Sequence, residues 1–169
     1  MALRLRPYRL EDEPAARAAH EAILPEDFQF LLSWDPAMSW AEFLGRVEDQ
    51  RRSTVVTEDR VPAVQLAAVV DGELVGRAAI RFALNEFLST IGGHIGYAVV
   101  PAHRRRGYAT EILRQSLVVL RAGGVERALV TCYDTNVGSA RAIEANGGVF
   151  ESLIRSGDGG GAVRRYWID

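Results

Sequence analysis

The 169-residue sequence predicts one α/β domain spanning residues 1–169, with a mixed central sheet of about six to seven strands and flanking helices. Short apolar runs alternate with helical patterns along the chain, which is typical of this class. Asp71 and Gly72 separate two apolar runs, and glycine tolerates the positive φ of a hairpin turn. A strand, a helical crossover and a strand occupy 94–133, and such a unit is expected to be parallel and right-handed, with ligands at the carboxyl ends of its strands.

The first half of the chain combines a predicted hairpin with an aromatic helical region. Ala16, Ala19 and Ile23 recur on one helical face, and the aromatic residues between 25 and 50 are interrupted by Pro25 and Pro36. The predicted elements are a strand over 3–8, a helix over 11–23, two short helices within 25–50, strands over 64–70 and 74–82, and a loop over 83–93.

The second half alternates strands with helices more regularly. Ile112, Leu113 and Leu117 fall on one face of a helix that Gly123 and Gly124 end. The predicted elements are a strand over 94–100, a helix over 107–122, a strand over 127–133, a helix over 137–146, and strands over 149–155 and 162–168 joined by a glycine-rich turn at 157–161.

Composition excludes several classes of protein. The hydrophobic fraction of 48% and the charged fraction of 25% exclude a disordered, collagen-like or coiled-coil chain. A net charge of −2 gives no general attraction to nucleic acid or to an anionic membrane, so neither is an expected partner. No hydrophobic leader or long apolar run is visible, so we expect a cytoplasmic location.

Residue usage also restricts the chemistry. All 20 basic residues are arginine, so no lysine serves as a base or as a target of self-acylation. Cys132 is the single cysteine and cannot form an intramolecular disulfide or a cysteine-based zinc site, and we expect no metal. It lies in an apolar run, which favours a core position over a nucleophile.

The segment 101–110 predicts an anion site. It follows a strand, contains three consecutive arginines, and leads into a helix whose first N–H groups lack intrahelical partners. Gly107 and Ala109 leave room for a close approach of phosphate to the backbone. The residues alone therefore indicate a diphosphate or another polyanion.

Arg104-x-x-Gly107-x-Ala109 in this context resembles the acyl-CoA pyrophosphate loop of the GNAT acetyltransferase superfamily. Asn136-x-x-Ser139 at the start of the next helix also resembles that family, and Gly147 closes the same helix. Three further stretches, 84–88, 92–97 and 164–168, resemble a branch of predicted GNAT acetyltransferases.

The resemblance implies a GNAT fold with acyl-CoA between splayed parallel strands. It implies acetyl-CoA as cosubstrate, a primary amine of a small molecule or peptide as acceptor, and a homodimer. Val99 and Val100 would offer backbone groups to the pantetheine arm, and Asn136 and Ser139 would contact the arm or the phosphates from the other side. The implied pyrophosphate loop consists of Arg104, Arg105, Arg106, Gly107, Tyr108, Ala109 and Thr110.

The catalytic residues are less well marked. Many GNAT relatives place a tyrosine on the second helix as the general acid, where this chain has Ile143, so the acid is either missing or supplied elsewhere. Tyr133 is the candidate acid, and the alternatives are that Tyr133 faces the core and that the coenzyme A thiolate leaves without an acid. His94, at a strand start, is the first candidate base and Glu86 the second. The alternative for His94 is a histidine that only forms a hydrogen bond at the start of the strand. The alternative for Glu86 is a solvated surface carboxylate. We expect direct attack in a ternary complex, and the alternative function is a catalytically inactive acyl-CoA sensor.

Overall fold

A computed structural model describes residues 2–155 and 159–169, and it contains seven strands in two sheets. The predicted α/β class is confirmed. The strands are β1 (Arg4–Pro7), β2 (Ala63–Val70), β3 (Glu73–Arg81), β4 (Ile95–Val99), β5 (Ala128–Tyr133), β6 (Val149–Arg155) and β7 (Ala162–Ile168). The helices are α1 (Glu13–Ile23), α2 (Trp40–Arg52), α3 (Glu86–Thr90), α4 (Tyr108–Ala122) and α5 (Val137–Ala145).

The strands form two antiparallel groups. The first has the order β1-β2-β3-β4 and the second the order β5-β7-β6. The predicted hairpin is present between β2 and β3, with Asp71 at φ 53° and Gly72 at φ 83°. The predicted glycine-rich turn lies partly at 156–158, which are outside the described residues.

The two groups of strands meet at a narrow junction before β4. Gly93 forms an isolated bridge with Val130, and the His94 N–H donates to the Leu129 carbonyl at 2.8 Å. Gly93 has φ +65°, and a Cβ at this position would lie 2.3 Å from the Leu129 oxygen, so only glycine fits. Within the described ranges no further pairing joins β4 to β5, and a crevice separates their carboxyl ends.

The helical segment between β1 and β2 differs from its prediction. Residues Leu24–Glu26 form a 3-10 turn, and one helix, α2, replaces the two expected short helices. Asp35 Oδ1 accepts the Ala37 N–H at 2.8 Å, which holds the chain in a turn. Helix α2 then begins at a capping box, in which Ser39 and Glu42 satisfy each other's backbone N–H groups.

Side chains on both faces of the first sheet form two core clusters. Ile112, Leu113 and Leu117 of α4 are buried on one face, as their spacing predicts. On the other face, Trp40 and Phe43 of α2 pack at a ring distance of 5.0 Å. Helix α3 occupies part of the predicted 83–93 loop, because Asn85 caps it by accepting the Leu88 N–H. In the part of the chain that is described, no helix is long and apolar enough to cross a membrane.

Candidate active site

The loop between β4 and α4 has a backbone shaped by two left-handed residues. Arg105 has φ 65° and Gly107, the residue that caps α4, has φ 80°. No atom lies within 4 Å of the position that a Cβ on Gly107 would occupy. The side of the loop next to Gly107 is therefore open to a ligand.

This loop presents a row of free backbone donors. Among the residues described, the N–H groups of 105–110 donate to no acceptor in the protein. The positive end of the α4 dipole adds to their partial charges, and the side chains of Arg105 and Arg106 are exposed. The row includes the N–H groups of Tyr108, Ala109 and Thr110 and suits a phosphate group.

The Arg104 side chain is engaged within the protein. Its Nη1 and Nη2 donate to the two carboxylate oxygens of Glu26 at 2.9 and 2.8 Å, and its Nε donates to the Val99 carbonyl at 3.3 Å. Arg104 also lowers the pKa of Glu26 through this hydrogen bond. The guanidinium thus links the 3-10 turn after α1 to the loop before α4.

The edge of β4 that faces the crevice offers alternate peptide groups. The Val100 N–H donates to Val75 on β3, and its carbonyl accepts the His103 N–H, so both groups are occupied. Peptide groups alternate along a strand, so those of Tyr97 and Val99 point away from β3 and into the crevice. The predicted backbone contact is therefore available at the Val99 N–H, whereas the Val99 carbonyl already accepts Arg104 Nε and both groups of Val100 are occupied.

A hydroxyl pair that the sequence analysis did not identify links β4 to the first turn of α5. The Tyr97 and Ser139 hydroxyl oxygens lie 2.7 Å apart, and Asn136 accepts the Ser139 N–H at 3.0 Å. Burial raises the pKa of Tyr97 to about 12, and burial also raises the pKa of the Cys132 thiol. Strand alternation could have placed Tyr97 opposite His94, on the side of α4.

His94 is buried and makes a structural contact. Its Nδ1 accepts the Leu129 N–H at 2.9 Å, which leaves the ring hydrogen of the neutral imidazole on Nε2. Burial lowers the pKa of His94. Neither nitrogen of the neutral ring then has a free lone pair to accept a proton from an amine.

The other two catalytic candidates are exposed. Glu86 is the first residue of α3, beside Phe87, which lines a cavity over the sheet. Tyr133 ends β5 at the outer part of the crevice and is 56% exposed. The structure therefore places Glu86, His94 and Tyr133 at three different points. Within the described residues no cluster of side chains is suited to a metal.

The structure is that of an α/β protein with a crevice between two strands and free N–H groups suited to an anion at the mouth of the crevice. The chain belongs to the GNAT acetyltransferase family, since the family model described as the Acetyltransferase (GNAT) domain matches residues 2–149. No curated protein sequence matches the chain.

Solved structures share the fold at low sequence identity. RimJ of Mycobacterium smegmatis, in complex with a CoA disulfide, has a TM-score of 0.72 and 18% identity, over 98% of this chain and 81% of that one. A putative acetyltransferase of Salmonella typhimurium, yncA with its cofactor acetyl-CoA, has a TM-score of 0.66 and 16% identity, over 100% of this chain and 94% of that one. RimL, a ribosomal L7/L12 alpha-N-protein acetyltransferase in complex with coenzyme A, has a TM-score of 0.69 and 17% identity, over 99% of this chain and 93% of that one.

Proposed function

We propose that this protein is an acetyl-CoA-dependent N-acetyltransferase that acts on a primary amine of a small molecule or peptide. The observation that carries the proposal is the row of free N–H groups at 105–110, at the mouth of a crevice between two strands. The three solved relatives named above hold coenzyme A, its disulfide or acetyl-CoA. The loop fits the pyrophosphate of such a cosubstrate, with Arg105 and Arg106 supplying charge.

The chemistry follows from the groups in the crevice. A neutral amine attacks the thioester carbonyl carbon, the C–N bond forms, and the C–S bond breaks. The Val99 peptide would pair with the pantetheine arm, and Asn136 would lie on the opposite wall. The Tyr97–Ser139 pair supplies a proton to the departing thiolate, because a phenol with a pKa of about 12 stays protonated at neutral pH.

The amine must lose a proton, either to Glu86 through water or directly to solvent. Glu86 is retained as the candidate base since its carboxylate is exposed next to the cavity. Replacing Glu86 with Gln tests the assignment, and Glu126→Gln is the matched exposed control. A base role predicts at least a tenfold lower kcat in the Glu86 variant alone.

Calorimetric titration with acetyl-CoA tests the function at its first step. Gly107→Glu places a carboxylate where the pyrophosphate would lie. Gly124→Glu is the control, because Gly124 ends the same helix with φ +90° and equally open space. We expect binding by the parent and the control, and none by the Gly107 variant. A parent that binds no acetyl-CoA would refute the function.

A catalytically inactive acyl-CoA sensor is the second candidate. Ile143 is fully buried where many GNAT relatives carry a tyrosine, which favours it. A sensor predicts acetyl-CoA binding without release of free thiol on any amine of a broad panel. One productive acceptor would exclude this alternative.

A homodimer is proposed through β6, the outer strand of the second sheet. Val149, Phe150 and Leu153 on this strand are exposed apolar side chains. Light scattering on the eluting protein would measure a dimer mass for the parent and a monomer mass for Phe150→Glu. A parent of monomer mass contradicts the proposal.

A further inference from the structure

Two arginines on β3 lie on the sheet face opposite Tyr97. Arg77 is only 3% exposed. Its Nε and Nη2 donate to the carbonyls of Phe30 and Gln29 at 3.0 and 2.9 Å. Its Nη1 is buried and has no hydrogen-bond partner. One donor of a buried cation is therefore unused.

Arg81 stands four residues further along the same strand, so it projects from the same face. Its Nη1 donates to the Gly93 carbonyl at 3.1 Å. A Cβ built on Gly96 would lie 3.5 Å from Arg77 Nη1 and 3.6 and 3.7 Å from Arg81 Nη1 and Nη2. The two guanidinium groups thus converge over Gly96 of β4, which has no side chain to fill the space between them.

This pair of cations has no counter-ion in the described part of the chain. No carboxylate there forms an ion pair with Arg77 or Arg81. Burial, together with a smaller effect of the Arg81 charge, lowers the pKa of Arg77 to about 10. A buried cation next to a second, half-buried cation destabilises a fold unless an anion accompanies them.

A cavity of about 230 Å³ opens on this sheet face. Arg81, Gln65 and Ala79 line it from the sheet, and Phe87 and Leu88 of α3 form one wall. This volume is below the roughly 300–1,000 Å³ of typical ligand pockets, so it limits the ligand to a small molecule.

The cavity has charged groups of both signs. Glu58 and Asp59 also line it, and they are its only carboxylates among the described lining residues. They disfavour a multiply charged anion and favour a ligand that also carries an ammonium group. A planar carboxylate matches the two parallel N–H donors of a guanidinium. It carries a single negative charge, so Glu58 and Asp59 repel it less than they repel a multiply charged anion.

We propose that Arg81, with the buried Arg77 beside it behind the cavity lining, forms a carboxylate subsite, and that the acceptor is a small amine that carries a carboxylate, as an amino acid does. The inference rests on the proposed acetyl transfer, because it assigns the acceptor of that reaction. Gly96 is next to Tyr97 in β4, so the subsite and the proton donor lie on opposite faces at one point of the sheet. A role for Arg77 in only holding the segment 29–30 would leave its Nη1 unexplained, and the bond to Gly93 uses only Nη1 of Arg81.

Binding of product analogues tests the subsite without turnover. N-acetyl α-amino acids and their matched carboxamides are titrated into the protein in the presence of coenzyme A. We expect the acids to bind at least tenfold more tightly than the amides. Equal affinities, or a preference for the corresponding phosphonates, would overturn the proposal.

Variants of Arg81 locate the effect. Arg81→Gln is expected to remove the preference for the acid, Arg81→Lys to retain part of it, and the exposed Arg60→Gln to leave it unchanged. An undiminished preference in a folded Arg81→Gln protein refutes the assignment. Should that variant not fold, the acid–amide comparison in the parent decides.

Turnover separates this inference from the proposed function. Free amino acids and amino amides are supplied with acetyl-CoA, and thiol release is followed. Equal acetylation of both sets keeps the acetyltransferase and overturns the subsite. Selective binding of the acids without acetylation of any amine keeps the subsite and contradicts the proposed function.

Discussion

The hydroxyls of Tyr97 and Ser139 lie 2.7 Å apart, and we propose that this pair protonates the departing thiolate. Tyr97→Phe should lower kcat by about tenfold to a hundredfold, because proton transfer from a positioned acid typically contributes that much or more. The affinity for acetyl-CoA should change little. Steady-state kinetics and calorimetry measure the two quantities.

Tyr133→Phe is the matched control for that substitution, since Tyr133 is the exposed tyrosine at the end of β5. It tests the acid predicted from sequence against the pair found in the structure. A loss of kcat in the Tyr133 variant, with full activity in Tyr97→Phe, would reverse the assignment.

His94 and His20 make the folded protein sensitive to mild acid. Each Nδ1 accepts a backbone N–H, and burial lowers both pKa values below the ordinary 6.5. The unfolded chain therefore binds more protons below about pH 6.5, and the free energy of unfolding falls as the pH decreases. The maximum slope is about 1.4 kcal/mol per pH unit for each histidine.

His94→Gln should reduce that slope, because the amide oxygen can accept the Leu129 N–H but does not titrate. Urea denaturation between about pH 7 and pH 5 measures it. Ion-paired glutamates begin to lose their contribution to stability only as the pH falls below their ordinary pKa of 4.5. The window from about pH 7 to pH 5 lies above that value, so the histidines dominate the slope. An identical slope in the variant and the parent would show that His94 does not titrate as inferred.

The ion pair between Glu26 and Arg104 joins the segment after α1 to the loop before α4. Both side chains are more than a third exposed, so the pair contributes about 1 kcal/mol or less. Glu26→Gln should free Arg104 for a phosphate group and tighten acetyl-CoA binding by up to about fivefold. Calorimetry measures the affinity, and the exposed Glu21→Gln is the control. Weaker binding in Glu26→Gln would mean that the ion pair preorganises the loop.

The junction between the sheets depends on Gly93. Gly93→Ala combines a positive φ with a Cβ 2.3 Å from the Leu129 oxygen, and we expect a loss of roughly 2–4 kcal/mol in stability. Gly72→Ala has a similar φ of +83° in open space, and only the backbone strain of about 1–2 kcal/mol applies. Urea denaturation compares them, and equal losses would contradict a steric role at the junction.

The whole molecule lacks lysine, which makes its own acetylation simple to follow. After incubation with acetyl-CoA, the intact mass should increase by at most one acetyl group, carried by the α-amino terminus. Mass spectrometry of the protein checks this result. Further acetyl groups would indicate transfer to hydroxyl or thiol side chains.

Local patterns predicted most of the elements from sequence. The Asp71-Gly72 turn, the apolar face of α4 and the loop before it depend on neighbouring residues, so propensity and periodicity are sufficient to place them. The helix count in 25–50 was wrong because Asp35 and a capping box at Ser39 hold the intervening chain out of a helix. The residues that decide this segment are also close together in the chain. The prolines, the aromatic residues and the capping residues there favour different structures, so the sequence pattern alone did not place the helix.

The sequence by itself determined the fold class, the family resemblance and the loop with free N–H groups, because each depends on residues close together in the chain. Only the tertiary structure decided which distant side chains meet. It paired Tyr97 with Ser139, engaged Arg104 with Glu26, and brought Arg77 and Arg81 together over Gly96. The physical reason is that strand register and packing between elements set these distances, and a linear pattern does not contain the register.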